Sequence, residues 1–229
     1  MKYTLIFIFS FLSSTIYSQS INTELKARLD SILVLDQAPR ALMDPNISDE
    51  LKTKYLGKLG LTEDEYDKNK WGIVIKYDSI NLKRVEKIIN EYGYPGKSLV
   101  GEPTNRAVWY VIQHSDKIAK YLPIIKEAGE KGEIPMTSVA MMEDRFLMES
   151  GKEQVYGTQV WGGDITDEKT GKKKREYIVW PIKNPKNINE IRKSAGFKKT
   201  IEEYALDLDV EYKIYTLEQV KLMFDKFKN

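Results

Sequence analysis

Residues 135–161, PMTSVAMMEDRFLMESGKEQVYGTQVW, change their periodicity once, at Gly151. Up to that glycine, Val139, Met142, Phe146 and Leu147 recur at helical spacing, and Pro135 suits the first turn of a helix. Beyond it, Gln154 to Trp161 is strand-like. Glu176 to Ile182 is strand-like too, after a polar segment, Asp164 to Arg175, that contains Lys169-Thr170-Gly171-Lys172. Two such runs about a glycine-containing turn predict a β-hairpin. Alternation then places Gln154, Tyr156 and Thr158 on one face and Val155, Gly157 and Gln159 on the other.

Toward the N-terminus the periodicity is helical. Leu25, Leu29, Ile32 and Leu33 predict a helix over Ile21 to Leu35, with Pro39 and Pro45 bracketing a connection. Ser48-Asp49-Glu50 caps a second helix that Gly60 ends, and Asp78-Ser79 is read as the cap of a third, closed by Gly93. Trp71 to Tyr77, between them, fits helix or strand. Asn105 to about His114 and Ser115 to Glu130 follow as helices, the latter with Pro123 inside its pattern. After the hairpin, short helices are expected from Asn187 to Gly196, from Lys199 to Leu206 and from Thr216 to Phe227. The fold class expected is α+β, a predominantly helical single domain with a small antiparallel β-hairpin in the C-terminal half.

The first residues carry a different signal. Lys2, an apolar run from Tyr3 to Leu12 and small polar residues up to Ser18 have the order of a secretory leader. The run is too short for a membrane-spanning helix, which needs about 20 apolar residues. Cleavage is expected after Ser18, leaving a globular domain over 19–229, no membrane span and a periplasmic or secreted destination. The chain has 36 Lys and Arg against 34 Asp and Glu, and without Lys2 the net charge is 35 minus 34, or +1. Such a balance gives no electrostatic reason to expect nucleic acid. The basic run Lys172 to Arg175 is read as a solvated surface beside Asp164, Asp167 and Glu168.

With 0 cysteines and 1 histidine, thiolate sites and disulfides are excluded, and the only metal chemistry left is a mixed histidine and carboxylate set or an all-oxygen site. Neither is marked by a motif, nor is any phosphate loop or serine-nucleophile signature, so no metal and no cofactor are expected. Histidine is the side chain suited to proton transfer near neutrality, which singles out His114, bracketed by Gln113 and Asp116. A histidine ending a helix also serves simply as a cap. Glu143-Asp144-Arg145 sits in an apolar helix, and consecutive helical residues point about 100° apart, so at least one charge must turn inward. That inward charge is either a structural ion pair or, through Arg145, part of an anion site.

These words, Tyr94-Pro95-Gly96, Gln113-His114-Ser115-Asp116, Leu122-Pro123, Glu143-Asp144-Arg145 and Gln154 with Tyr156-Gly157-Thr158-Gln159, occur in an order that resembles a bacterial domain-of-unknown-function family, number 6624, over roughly 93–204. The resemblance supplies no activity. It implies that His114, Asp116, Asp144, Arg145, Tyr156, Thr158 and Gln159 converge. The expectation is a pocket around His114 for a small polar or anionic ligand. In an enzymatic version, a cofactor-free hydrolase or lyase, His114, Asp116, Asp144 and Arg145 do the chemistry while Tyr156, Thr158 and Gln159 bind. The rival is a non-enzymatic envelope protein in which the same residues form a packing network. A lysozyme-like glycosidase, with Glu149 as its acid, lacks a clear second carboxylate. Whether the ligand is turned over is left open, and the sequence identifies no partner.

Overall fold

In the computed structural model of the protein, which describes residues 20–167, 169–224 and 227, the side chain of Asn22 accepts the amide of Leu25 at 2.9 Å and opens helix α1, Thr23–Ala41. The leader expected over 1–18 lies outside the described residues. Helix α1 is longer than its apolar stripe predicts, because it continues through Pro39; the carbonyl of that proline accepts the Tyr66 hydroxyl at 2.7 Å. Helices α2, Asp49–Leu59, and α3, Glu63–Lys68, start at the side-chain caps of Ser48 and Thr62. Next, α4 runs unbroken over Lys70–Tyr92. Trp71 to Tyr77 is therefore helical, and Asp78-Ser79 lies inside the helix instead of capping it. The Asp78 carboxylate is held by Arg40 of α1 rather than by the start of a helix.

Helix α5, Lys97–Val100, and a 3-10 turn, Thr104–Arg106, lead into α6, Ala107–Gln113, followed by α7, Ile118–Glu130, and α8, Met136–Glu149. Strands β1, Val160–Thr166, and β2, Lys173–Val179, pair antiparallel from Val160 opposite Val179 to Thr166 opposite Lys173. Three short helices follow: α9, Ile188–Ser194, α10, Ile201–Asp207, and α11, Leu217–Met223. The fold is α+β, mostly helical, with this two-stranded sheet in its C-terminal half. No helix among the described residues is long and apolar enough to cross a membrane.

The main core lies where α1, α4, α6, α7 and α8 meet, and it buries Leu29, Val85, Ile88, Ile112, Ile125 and Met142. Each such side chain contributes about 1.5–3 kcal/mol by leaving water. A lone two-stranded hairpin is marginal in water. Here β2 is covered on both faces at its C-terminal end, since neighbouring strand residues point oppositely. Val179 joins Ile182, Ile188 and Ile201, while Ile178 joins Trp180, Val220 and Phe224.

The hairpin is shifted along the chain from its expected place. The strands begin at Val160 and occupy half of the segment read as polar turn, while 155–159 is loop and Gln154 makes an isolated bridge to Ile182. The physical reason is competition for backbone donors. The amides of Val155, Tyr156 and Thr158 are all bonded to the Asp144 carboxylate and are not available to a ladder.

Candidate functional site

The residues singled out around His114 and around Asp144 belong to two hydrogen-bonded groups. Among the described residues no hydrogen bond or ion pair joins His114 to Asp144, Arg145, Tyr156, Thr158 or Gln159.

The first group sits on the seam of α1, α4 and the end of α6. Its starting point is Asp36, fully buried at the next position of the α1 stripe Leu25, Leu29, Ile32. Asp36 Oδ1 lies 3.2 Å from Nδ1 of His114, the residue that ends α6, and Gln37 Nε2 donates to Asp36 Oδ2 at 2.6 Å. On the other edge of the ring, Gln113 Nε2 lies 3.4 Å from His114 Nε2. A carboxylate only accepts, so Nδ1 carries the proton given to Asp36, and in the neutral imidazole Nε2 is then the acceptor that faces the Gln113 amide. Arg40 Nη2 donates to both oxygens of Asp78 at 2.8 Å, and its Nη1 donates to the Asp36 carbonyl at 2.8 Å and stands 3.6 Å from the Asp36 carboxylate. The imidazole keeps 16% of its surface exposed, and Arg40 and Asp78 keep 25% each, so the buried carboxylate lies beneath a rim that solvent reaches.

This arrangement offers an imidazole oriented by a carboxylate, a guanidinium beside it, and three groups of metal-ligating type. Asp36, Asp78 and His114 each present one such atom within 4.8 Å of the others. Asp36, Gln37 and Arg40 were not marked by sequence reasoning, and Asp78 was read only as a helix cap. The readable signal was Asp36, a carboxylate continuing a four-three-four apolar spacing where another aliphatic residue belongs. Asp116, by contrast, points outward and pairs with Lys117 at 2.9 Å, which lowers its carboxyl below the usual range.

The second group is built on Asp144. Of the three consecutive charges in α8 it is the one turned inward, fully buried, and its oxygens accept from Val155 N at 2.7 Å, Tyr156 N at 3.0 and 3.1 Å, and Thr158 N and Oγ1 at 3.0 Å each. Burial pushes this carboxyl above its usual range, and the same hydrogen bonds pull the other way. Arg192 of α9 closes the carbonyl side of the loop. Almost fully buried, it donates through Nη1 to the carbonyls of Tyr156 and Gly157 at 2.8 and 3.4 Å and through Nε to Lys199 at 3.0 Å, between the rings of Phe197 and Tyr204. Buried Gln154 donates to the carbonyls of Gln159 and Trp180 and accepts the amide of Gln159. Gln159 Nε2 in turn reaches the Met141 carbonyl at 3.3 Å and Thr158 Oγ1 at 3.1 Å.

Gly157 stands in this loop at φ 68°, and a Cβ there would lie 2.7 Å from Ile201 Cδ1. The loop conformation therefore requires glycine twice over, by dihedral and by space. Arg145 faces outward and bonds Glu149 at 3.1 Å. Glu149 keeps 48% of its side chain exposed, unlike the sheltered acid that glycoside cleavage uses. A cavity of about 870 Å³ is lined by Asn189, Lys193, Phe197, Lys198 and Thr200, none of which belongs to the His114 group.

A family model matches residues 59–217, a span that holds Asp78, His114, Asp144, the 154–159 loop and Arg192 and leaves out α1 with Asp36 and Arg40. No curated protein and no solved structure matches the chain. With well over half of its length matched, the chain belongs to the Family of unknown function (DUF6624).

Proposed function

We propose that this is an exported protein that binds a small polar or anionic ligand at the His114 group, with the Asp36–His114 pair serving as an acid–base couple if the ligand is turned over. The observation that carries the reading is the contact between Asp36 and His114. A fully buried carboxylate from α1 orients an imidazole 78 residues away while the ring keeps an edge open to solvent. Burying a carboxylate is costly, and a merely structural role is met more cheaply by backbone donors, as Asp144 shows in the same molecule. The tautomer that donates Nδ1–H to Asp36 leaves Nε2 as the lone-pair nitrogen, the form a general base needs. Arg40 supplies the positive charge for an anionic group.

The second group supports the other reading for its own residues. The Asp144 carboxylate is saturated by loop donors and Arg192 by loop carbonyls, which suits a network that fixes the packing of α8 against the C-terminal elements.

The test is thermal unfolding of the wild type and His114→Gln with sugar phosphates, nucleotides, cell-wall fragments and small carboxylates, in buffer freed of metal. A ligand at a hundred times its Kd stabilises by about 2.7 kcal/mol. For a chain of this size that is a rise of roughly 5–10 °C in Tm. The proposal requires at least one class to stabilise the wild type and not a folded His114→Gln. Equal shifts in both proteins would place the binding site elsewhere.

A further inference from the structure

We infer that the His114 group is a divalent transition-metal site, in which Asp36, Asp78 and His114 are ligands and Arg40 is the counter-ion that holds their place when no ion is bound. The inference rests on the His114 reading and names one ligand for it.

The geometry comes first. Metal to ligand distances of about 2.1 Å put neighbouring donor atoms about 3.0–3.4 Å apart and opposite ones about 4.2 Å apart. The separation between Asp36 Oδ1 and His114 Nδ1 is 3.2 Å, and the Asp78 oxygen lies within 4.8 Å of both. The three ligands come from three helices, α1, α4 and the end of α6, so their approach is set by core packing and not by a flexible loop.

A second observation is independent of them. Asn81 is fully buried on α4, three residues after Asp78 and so on the same face of the helix. Its Nδ2 lies 3.5 Å from the carbonyl of Ile32, one turn before Asp36 on α1, and its Oδ1 has no hydrogen-bond donor. Buried acceptors are almost always paired. An acceptor left over one turn along the α1–α4 seam from Asp36 and Asp78 is a group that a water carried by a bound cation would satisfy.

Charge gives the exchange its form. With a neutral imidazole, Asp36, Asp78 and Arg40 sum to one negative charge, and the guanidinium is monovalent and a quarter exposed. A divalent ion replaces the guanidinium on Asp78 and takes the Nδ1 lone pair of His114, whose proton moves to Nε2. Binding therefore frees Arg40 with no net release of a proton from the neutral imidazole. The freed guanidinium stays tethered beside the ion, where an anionic ligand would meet both charges. One imidazole with two carboxylates favours Zn²⁺ or Mn²⁺ over Ca²⁺ and Mg²⁺, which take oxygen ligands.

The experiment is titration calorimetry of the purified, metal-stripped protein with Zn²⁺ and Mn²⁺ alone, in buffers of different ionisation enthalpy, for the wild type, Arg40→Gln, Asp78→Asn and His114→Gln. Expected are one ion per chain, a binding enthalpy that does not depend on the buffer's ionisation enthalpy, binding at least about tenfold weaker in Asp78→Asn and His114→Gln, and binding tighter in Arg40→Gln because the competing cation is gone. Arg40→Gln keeps the test decisive should either ligand variant fail to fold, a point checked by circular dichroism. Absence of binding in both wild type and Arg40→Gln overturns the inference, as does binding of unchanged strength in folded His114→Gln and Asp78→Asn. If ions fail while a small molecule stabilises the wild type in metal-free buffer and not His114→Gln, the His114 site stands without a metal.

Discussion

Replacing Asp144 by Asn changes one oxygen into an amino group and removes a charge, with almost no change of volume. The carboxylate accepts three backbone amides and one hydroxyl, and the best amide orientation keeps its oxygen where Oδ1 now takes Val155 N and Tyr156 N. The new amino group then faces Thr158 N, a donor that cannot reverse, while the Thr158 hydroxyl can turn to accept. One buried amide is left without an acceptor, at about 1–3 kcal/mol, and the remaining bonds lose their charge assistance. The sum is about 2–4 kcal/mol, which for a chain of this length lowers Tm by roughly 5–15 °C. Urea unfolding at pH 7 followed by circular dichroism, with the m-value compared between the two proteins, measures it. A variant within about 0.5 kcal/mol of the wild type would refute the reasoning. It would mean that the loop does not depend on the carboxylate and that Asp144 is held in reserve for chemistry.

Two further outcomes follow from the same structure. Gly157→Ala forces a side chain to φ 68° and sets its Cβ 2.7 Å from Ile201 Cδ1, so a loss of at least about 2 kcal/mol is expected in denaturant melts, and a neutral result would show that the loop yields easily. The hydrogen bonds from Tyr121 and Lys120 hold the Glu86 carboxyl below its usual range, so its contribution is present above the ordinary glutamate value and lost as pH falls through the lowered one. Glu86→Gln should therefore be less stable than the wild type at neutral pH, with the gap closing as pH falls through the lowered carboxyl value, and a gap that widens on acidification would contradict that sign.

The helices were legible because their apolar spacing is a local signal. Val139, Met142 and the Leu25, Leu29, Ile32 stripe are buried where periodicity placed them. What escaped was made by side chains reaching across the fold. Asp78 has the look of a cap until Arg40, 38 residues away, claims it. The run from Gln154 to Gln159 alternates like a strand until Asp144 takes its amides from 11 to 14 residues upstream. Asp36 was the missed clue. It is polar at a position where α1 demands an apolar residue, and its partner His114 was the one site residue that composition alone could nominate. The family words were readable as words, but they mark two networks, since motif order carries no information about which polar groups face each other.

The clasp on the 155–158 loop has two halves that become available at different times. Asp144 precedes the amides it gathers, so that half can close as soon as the loop has been synthesised. The carbonyls of Tyr156 and Gly157 wait for a guanidinium made 35 or 36 residues later. A growing chain that has not reached Arg192 already holds α1, α4, α6, α7 and α8 with their shared core, yet its loop is fastened on one side only. The helical bundle is thus complete in sequence before Arg192, and the carbonyl side of the loop depends on a residue from the last third of the chain.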